Sequence, residues 1–404
     1  MHSLLLLLLI LLIGAGGFVF GKRRVLALLS EKNAPRAAAL PSYYGWCALL
    51  WTTVPALLLI QFYFAVAHPE APKAIAYALA ACLALLGLGF SLKKLNLAFR
   101  ARDHVEKWVM LLMRTATFFA VSITLFIVLS VVFESVRFFE KVSIFSFLFG
   151  LEWSPQMALR ADQAGSSGSF GAVPVFLGTI MITFIAMLVA APVGLMSAIY
   201  LSEYASKRAR TIIKPFLEIL AGIPTVVYGY FAAIVFAPAL RDFGASIGLN
   251  IASESALAAG VVMGIMIIPF ILSLSDDVMN AVPTALKDAS LGLGATRSET
   301  VVKVVVPAAL PGIVGALLLA ISRGIGETMI VVMAAGLVAN LTINPFDSVT
   351  TVTAQIVTLL VGDQEFDSAK TLAAFALGFT LFLITLVLNV AALLIVRKYR
   401  ERYE

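Results

Sequence analysis

The chain has 404 residues, 61% of them hydrophobic and only 13% charged, with a mean hydropathy of +1.00. Soluble domains carry roughly 25% charged residues, so this composition excludes a soluble globular protein and leaves a polytopic membrane protein. The net charge of +6 comes with no basic domain and no aromatic interleaving, which excludes nucleic acid as a partner.

Runs of about 20 apolar residues are long enough to cross a bilayer as helices. In chain order they fall at 3–20, 43–66, 74–92, 109–133, 174–200, 215–239, 254–275, 312–339 and 371–396, nine spans in all. Lys22, Arg23 and Arg24 follow the first run instead of preceding it, so that run reads as a retained anchor and not a signal peptide. Cys47 and Cys82 both sit in spans and match no metal or disulfide spacing, and the three His at 2, 68 and 104 lie outside the core spans, so no metal site is expected.

The connecting segments differ in charge. Segments 21–42, 93–108, 201–214, 276–311 and 397–404 hold 21 of the 29 basic residues, and the alternate segments hold six. Basic loops stay in the cytoplasm, so the N-terminus is expected in the periplasm and the C-terminus in the cytoplasm. Residues 1–108 hold three spans and no specific motif, and residues 109–404 hold the other six. The outer segment 134–173 contains Gly165-Ser166-Ser167-Gly168-Ser169, suited to a flexible surface loop. The acidic residues Asp363, Glu365 and Asp367 form another outer cluster, read as a contact for a partner or as a solvated loop.

Within 215–239, Gly222 and Pro224 are expected to break the helix and expose backbone, which membranes tolerate only beside protein or a water-filled cavity. Thr225 and Tyr228 just beyond the break read as pathway hydroxyls or as packing, and Glu218 as lining the inner mouth or snorkelling to the surface.

The segment 276–311 carries the most specific pattern. Pro283 suits the start of a short helix, with Gly292 and Gly294 to close it in left-handed geometry. Thr296 and Glu299 have capping-box spacing for a second helix, expected to end at Pro307 and Pro311 before the next span. Asp288-Ala289-Ser290, three residues, Gly294, nine residues, and then Val304-Val305-Val306-Pro307 together resemble the EAA loop of importer-type ABC permeases. Asp for Glu, Ser for Ala and valines for Ile and Leu are the departures. The resemblance implies that Asp288, Ala289, Ser290, Gly292, Gly294 and Pro307 belong to a cytoplasmic surface that docks an ATPase.

Further stretches are similar to the PstC family of phosphate-specific permeases: Glu152-Trp153-Ser154-Pro155, Phe170 to Pro174, Ala198 to Tyr204, Glu218 to Pro224 and Arg323-Gly324-Ile325-Gly326-Glu327-Thr328-Met329. They imply an all-α, six-helix ABC importer permease core preceded by about three extra transmembrane helices, in a bacterial inner membrane. They also imply partners: a PstA-like permease, two copies of a PstB-like ATPase and a periplasmic PstS-like phosphate-binding protein. The chain has no G-x-x-x-x-G-K-[ST] phosphate loop, so it is expected to bind no cofactor and to rely on ATP hydrolysed by a partner.

Arg323 and Glu327 are the costliest residues for a membrane, roughly 2.5–3.5 kcal/mol each on an insertion scale. Their i, i+4 spacing puts both on one helix face, where they can pair structurally. The other reading is an anion pathway that includes Thr328: Arg323 offers a planar fork of donors, and Glu327 can accept a hydrogen bond from a phosphate that retains a proton. Two further functions stay open, an ABC permease for sulfate, molybdate or an amino acid, and an ion-coupled carrier, although the latter usually shows inverted repeats that are absent here.

Overall fold

A computed structural model describes residues 2–30, 37–66, 73–157, 167–361 and 367–400. Among these, eight helices are long and apolar enough to cross a bilayer. The residues group into two compact units, 1–126 and 127–404. In lipid every backbone N–H and C=O needs an internal partner, which is why nearly all of this apolar sequence is helical.

In the first unit α1 (His2–Leu29), α2 (Pro41–Val66) and α3 (Lys73–Lys94) pack on one another. Segment 3–20 lies in α1, whose side chains are described from Ile10 onward. Ala48, Ala56, Ala80 and Ala84 are fully buried between these helices, where small side chains let backbones approach closely. The helix α4 (Ala101–Lys141) has 41 residues, about 60 Å at 1.5 Å per residue. It extends past the expected span 109–133 because polar turns, Arg102 to Lys107 and Glu134 to Lys141, continue it at both ends. The two units divide inside it.

The second unit continues with α5 (Ile144–Phe149), the antiparallel hairpin β1 (Trp153–Met157) and β2 (Ser167–Phe170), and α6 (Val173–Ile199). The expected flexible loop is therefore partly ordered. Trp153 pairs with Phe170 across the hairpin, and both rings join Phe138 and Phe147 in an aromatic cluster. Gly165 lies outside the described residues.

Then follow α7 (Lys207–Ala221), α8 (Thr225–Phe231), α9 (Ala237–Ser246), α10 (Ala256–Asn280), α11 (Thr284–Gly292), α12 (Arg297–Thr300), α13 (Val306–Ile325), α14 (Met329–Ala334), α15 (Val352–Leu360) and α16 (Ala369–Arg400). The most enclosed element is α10, whose Met263, Ile267 and Ile271 pack against Ile182, Ala186 and Ala190 of α6. Six spans begin at Ala101, Val173, Thr225, Ala256, Arg297 and Ala369, and the division between the units falls inside the first of them. With the three helices of the first unit, this is an all-α polytopic membrane protein whose six-helix core is preceded by three further helices.

The prolines do not end the helix that leaves the 276–311 loop. A π-helical turn at Val301–Val305 joins α12 to α13, and the Val306 N–H donates to the Val301 carbonyl, five residues back. Directly after this widened turn the helix continues through Pro307 and Pro311 to Ile325. The same register recurs at Ala232–Phe236, with the Ala237 N–H on the Ala232 carbonyl and Pro238 following. The expected span 312–339 is corrected accordingly: the crossing helix begins near Arg297 and stops at Ile325, and residues 326–351 hold only the short α14.

Candidate functional site

The helix α13 ends at Ile325, with Gly326 as its C-cap, and Glu327 lies beyond that end. The helical face expected to carry Arg323 and Glu327 together therefore does not exist. Among the described residues the two form no ion pair, with each other or with any other group. The Arg323 side chain is exposed. Its guanidinium stands 5.5 Å over the Phe270 ring and 3.7 Å from the Met266 sulfur, both on α10. A cation over an aromatic face is held in direction while its N–H fork stays free for a ligand.

Glu327 is buried. Its Oε1 accepts the Met329 N–H at 3.1 Å and so caps the start of α14, while its main-chain carbonyl accepts the Thr353 hydroxyl at 2.7 Å. Thr328 is half-buried and its hydroxyl reaches the Gly326 carbonyl at 3.4 Å, too long to be strong.

A second break lies next to this one. Gly222, Ile223 and Pro224 separate α7 from α8 as expected, and Gly229 of α8 packs on Met329 and Met333 of α14. Non-helical backbone at membrane depth thus sits against protein. Tyr228 is buried and its hydroxyl donates to the Leu220 carbonyl at 3.1 Å, supplying a partner that the broken helix cannot. Thr225 opens α8 half-buried, and Glu218 is exposed on α7. Among the described residues none of these three bonds to Arg323 or Glu327.

Polar side chains from α6 and α15 fix the α13 break from the other side. Thr179 Oγ1 accepts the Val352 N–H at 3.0 Å, and Thr351 and Thr353 share a hydrogen bond of 3.0 Å. Gln355 donates to the Leu337 carbonyl at 2.7 Å and to Thr350 at 3.2 Å, and it accepts the Trp153 indole N–H at 2.9 Å. A β-carbon at Gly178 would overlap the Thr350 carbonyl, so only glycine lets α6 lie this close.

At the opposite end, α11 and α12 form a compact pair. Pro283 is the N-cap of α11 and not its first helical residue. Only Gly294 is left-handed, at φ +87°, and Gly292 is still helical. Thr296 and Glu299 form the expected capping box, and Ser290 meets Thr300 at 2.9 Å. Asp288 and Ala289 are exposed, together with Leu286, Leu291 and Leu293.

Sequence reasoning missed the charges that fasten this end. Lys287 Nζ lies 2.5 Å from Glu203, and Arg297 stands 5.5 Å over the Tyr204 ring. Asp276 is 1% exposed and receives Arg210 at 2.9 Å, Lys214 at 3.0 Å and Asn280 at 2.9 Å. The hydrogen bond with Asp276 raises the pKa of Lys214. An acidic pair, Asp276-Asp277, closing an apolar span was the available signal, since a carboxylate there needs a cation from another segment.

Segments 201–214 and 276–311 therefore meet on one face. On the other, Arg137 pairs with Asp367, Lys141 donates to the Asp367 carbonyl, and the Ala252 and Ala256 N–H groups bond carbonyls of Phe346 and Asp347. Asp363 and Glu365 lie outside the described residues.

A family model described as "Binding-protein-dependent transport system inner membrane component" matches residues 190–401, and one described as "Phosphate ATP-binding cassette transporter" matches residues 7–86. The "Phosphate transport system permease protein PstC" of Pasteurella multocida is 32% identical over 325 residues, 74% of this chain and 94% of the relative. The "Probable ABC transporter permease protein YqgH" of Bacillus subtilis is 34% identical over 261 residues, 65% of this chain and 79% of the relative. Among solved structures, a bacterial alginate ABC transporter in complex with alginate pentasaccharide-bound periplasmic protein aligns over 74% of this chain and 97% of its own. Its TM-score is 0.53 at 15% identity, a likeness of fold alone.

Proposed function

The chain belongs to the family of binding-protein-dependent transport system inner membrane components and within it to the PstC permeases, and from that premise we propose that it forms, with a partner permease, the path of inorganic phosphate across the inner membrane. The observation that carries the reading is Arg323: a guanidinium steered by Phe270 and Met266, with no carboxylate partner among the described residues, beside a broken helix end. Such a fork matches phosphate oxygens in pairs. Glu327 adds selectivity. Its carboxylate accepts a hydrogen bond from a phosphate that keeps a proton, and fully ionised sulfate has none to give.

Arg323 and Glu327 sum to zero charge, so the pathway needs a second cation, which a PstA-like partner permease supplies. Two PstB-like ATPases dock on the surface of α11 and α12 around Asp288 and Ala289 and hydrolyse the ATP. A periplasmic PstS-like protein delivers phosphate to the opposite face, where the hairpin β1–β2 lies. Thr328 borders the pathway, and Glu218 and Thr225 lie on its inner side. The hydroxyl of Tyr228 is engaged by the Leu220 carbonyl, which favours packing at the break over a pathway hydroxyl for Tyr228.

Phosphate uptake by the reconstituted transporter tests this. Arg323→Lys should impair uptake and Arg323→Gln nearly abolish it, because Lys is a point charge without the fork. Glu327→Gln should weaken phosphate uptake and let sulfate compete. Assembled complexes with Arg323→Gln that import phosphate at the wild-type rate would sink the reading.

A further inference from the structure

From Arg297 to Arg323 the run of α12, the π-helical turn and α13 rises about 40 Å, and α6 reaches both of its ends. At its cytoplasmic end α6 finishes in a π-helical turn, Tyr200–Tyr204. Glu203 in that turn is 8% exposed, and its carboxylate accepts Lys287 Nζ at 2.5 Å and the Ser202 hydroxyl at 3.1 Å. Lys287 belongs to α11 and immediately precedes Asp288. Arg297 of α12 rests on the next residue of the turn, Tyr204. Both helices of the docking loop therefore grip two consecutive residues at the end of α6.

Farther along, α6 is packed on α10 through buried Ile182, Ala186 and Ala190, a contact too dense to slip. Its outer part holds the α13 break: Thr183 lies against Gly324, and Thr179 bonds the backbone that opens α15. A force on α11 thus has a continuous route to Arg323 that does not pass through the widened turn between α12 and α13.

We propose that Glu203 is a positioning residue that ties the ATPase-docking helix to α6 through Lys287, so that each hydrolytic cycle moves the Arg323 break. The inference rests on the reading of α11 as the docking helix. A buried carboxylate with one cationic partner suits this role, since exchanging that partner for water is unfavourable and the two elements move together.

The test uses the intact transporter, purified with its co-assembled subunits and placed in phospholipid vesicles, with phosphate uptake and ATP hydrolysis measured together. Glu203→Gln and Lys287→Gln should continue to hydrolyse ATP while phosphate moved per ATP falls about fivefold or more, the scale of an inter-site coupling. The exchanged pair, Glu203→Lys with Lys287→Glu, should recover most of that ratio. Because the ratio is taken per ATP hydrolysed, a lower yield of complex does not enter it. A wild-type ratio in Glu203→Gln overturns the inference, and so does an exchanged pair that assembles but stays as poorly coupled as the single variants. Wild-type vesicles that hydrolyse ATP without phosphate uptake would instead overturn the transport reading on which it rests.

Discussion

Thr353 and Tyr228 each spend a hydroxyl on a carbonyl that an interrupted helix leaves without its usual donor, Thr353 on Glu327 and Tyr228 on Leu220. The two sites differ in what a deletion exposes. Leu220 keeps a bond from the Ile223 N–H, so Tyr228→Phe should cost only about 0.5–1.5 kcal/mol, the net worth of one hydrogen bond. A small drop in thermal stability with uptake retained is the expected result. At Glu327 the carbonyl belongs to the break itself. Thr353→Val should cost about 1–3 kcal/mol as an unsatisfied buried acceptor and also slow uptake, whereas Thr353→Ser keeps the donor and should restore both. Uptake unaffected by Thr353→Val would show that the break needs no such restraint. None of these partnerships is legible in the sequence, because Thr353 and Glu327 read as separate features until α15 is seen against the segment that follows α13. The resemblance led to Arg323 and Glu327 themselves, but their spacing suggested a pair that the end of the helix at Ile325 prevents.

At the level of elements, Gly294 and Asp276 support the α11–α12 end in different ways. Gly294 has open space around its Cα, so a side chain there meets nothing and the cost is backbone strain alone. Placing a β-branched residue in the left-handed region costs about 1–3 kcal/mol. Gly294→Val should therefore shift α11 against α12 and uncouple transport, Gly294→Trp likewise, while Gly294→Asn should be tolerated because asparagine visits that region. Phosphate uptake per ATP separates them. Asp276 is enclosed whereas Arg210 and Lys214 remain roughly one-third exposed, so the consequences of deletion are unequal. Asp276→Asn lets two cations turn to water. Arg210→Met with Lys214→Met strands a buried charge, about 3–5 kcal/mol, and should lower the yield of assembled protein far more. The spans themselves were readable because lipid demands long apolar helices, and so was the break at Gly222 to Pro224. The continuation through Pro307 was not, since proline ordinarily ends a helix and the π-helical turn before it leaves no mark in the residue types Val301 to Val305.

For the molecule as a whole, segments 201–214 and 276–311 share one face, and a reporter tests which side of the membrane that face meets. A reporter active only in the cytoplasm should work when inserted after Leu293 or fused after Glu404, and should fail when fused before Met1 or inserted within 158–166. Activity at both termini would require an even number of crossings. The ion pairs at the two faces also differ in exposure: the Asp367 side chain is 81% exposed, and that of Asp276 is 1% exposed. Mobile ions screen charges that water reaches and hardly affect buried ones, and the screening length shrinks from about 10 Å at 0.1 M salt to about 3 Å at 1 M. The pair between Arg137 and Asp367 is therefore tuned by ionic strength, and the anchor at Asp276 is indifferent to it. In a briny medium the protein should loosen first at the face that Arg137 and Asp367 hold, while the face at Asp276 stays fastened.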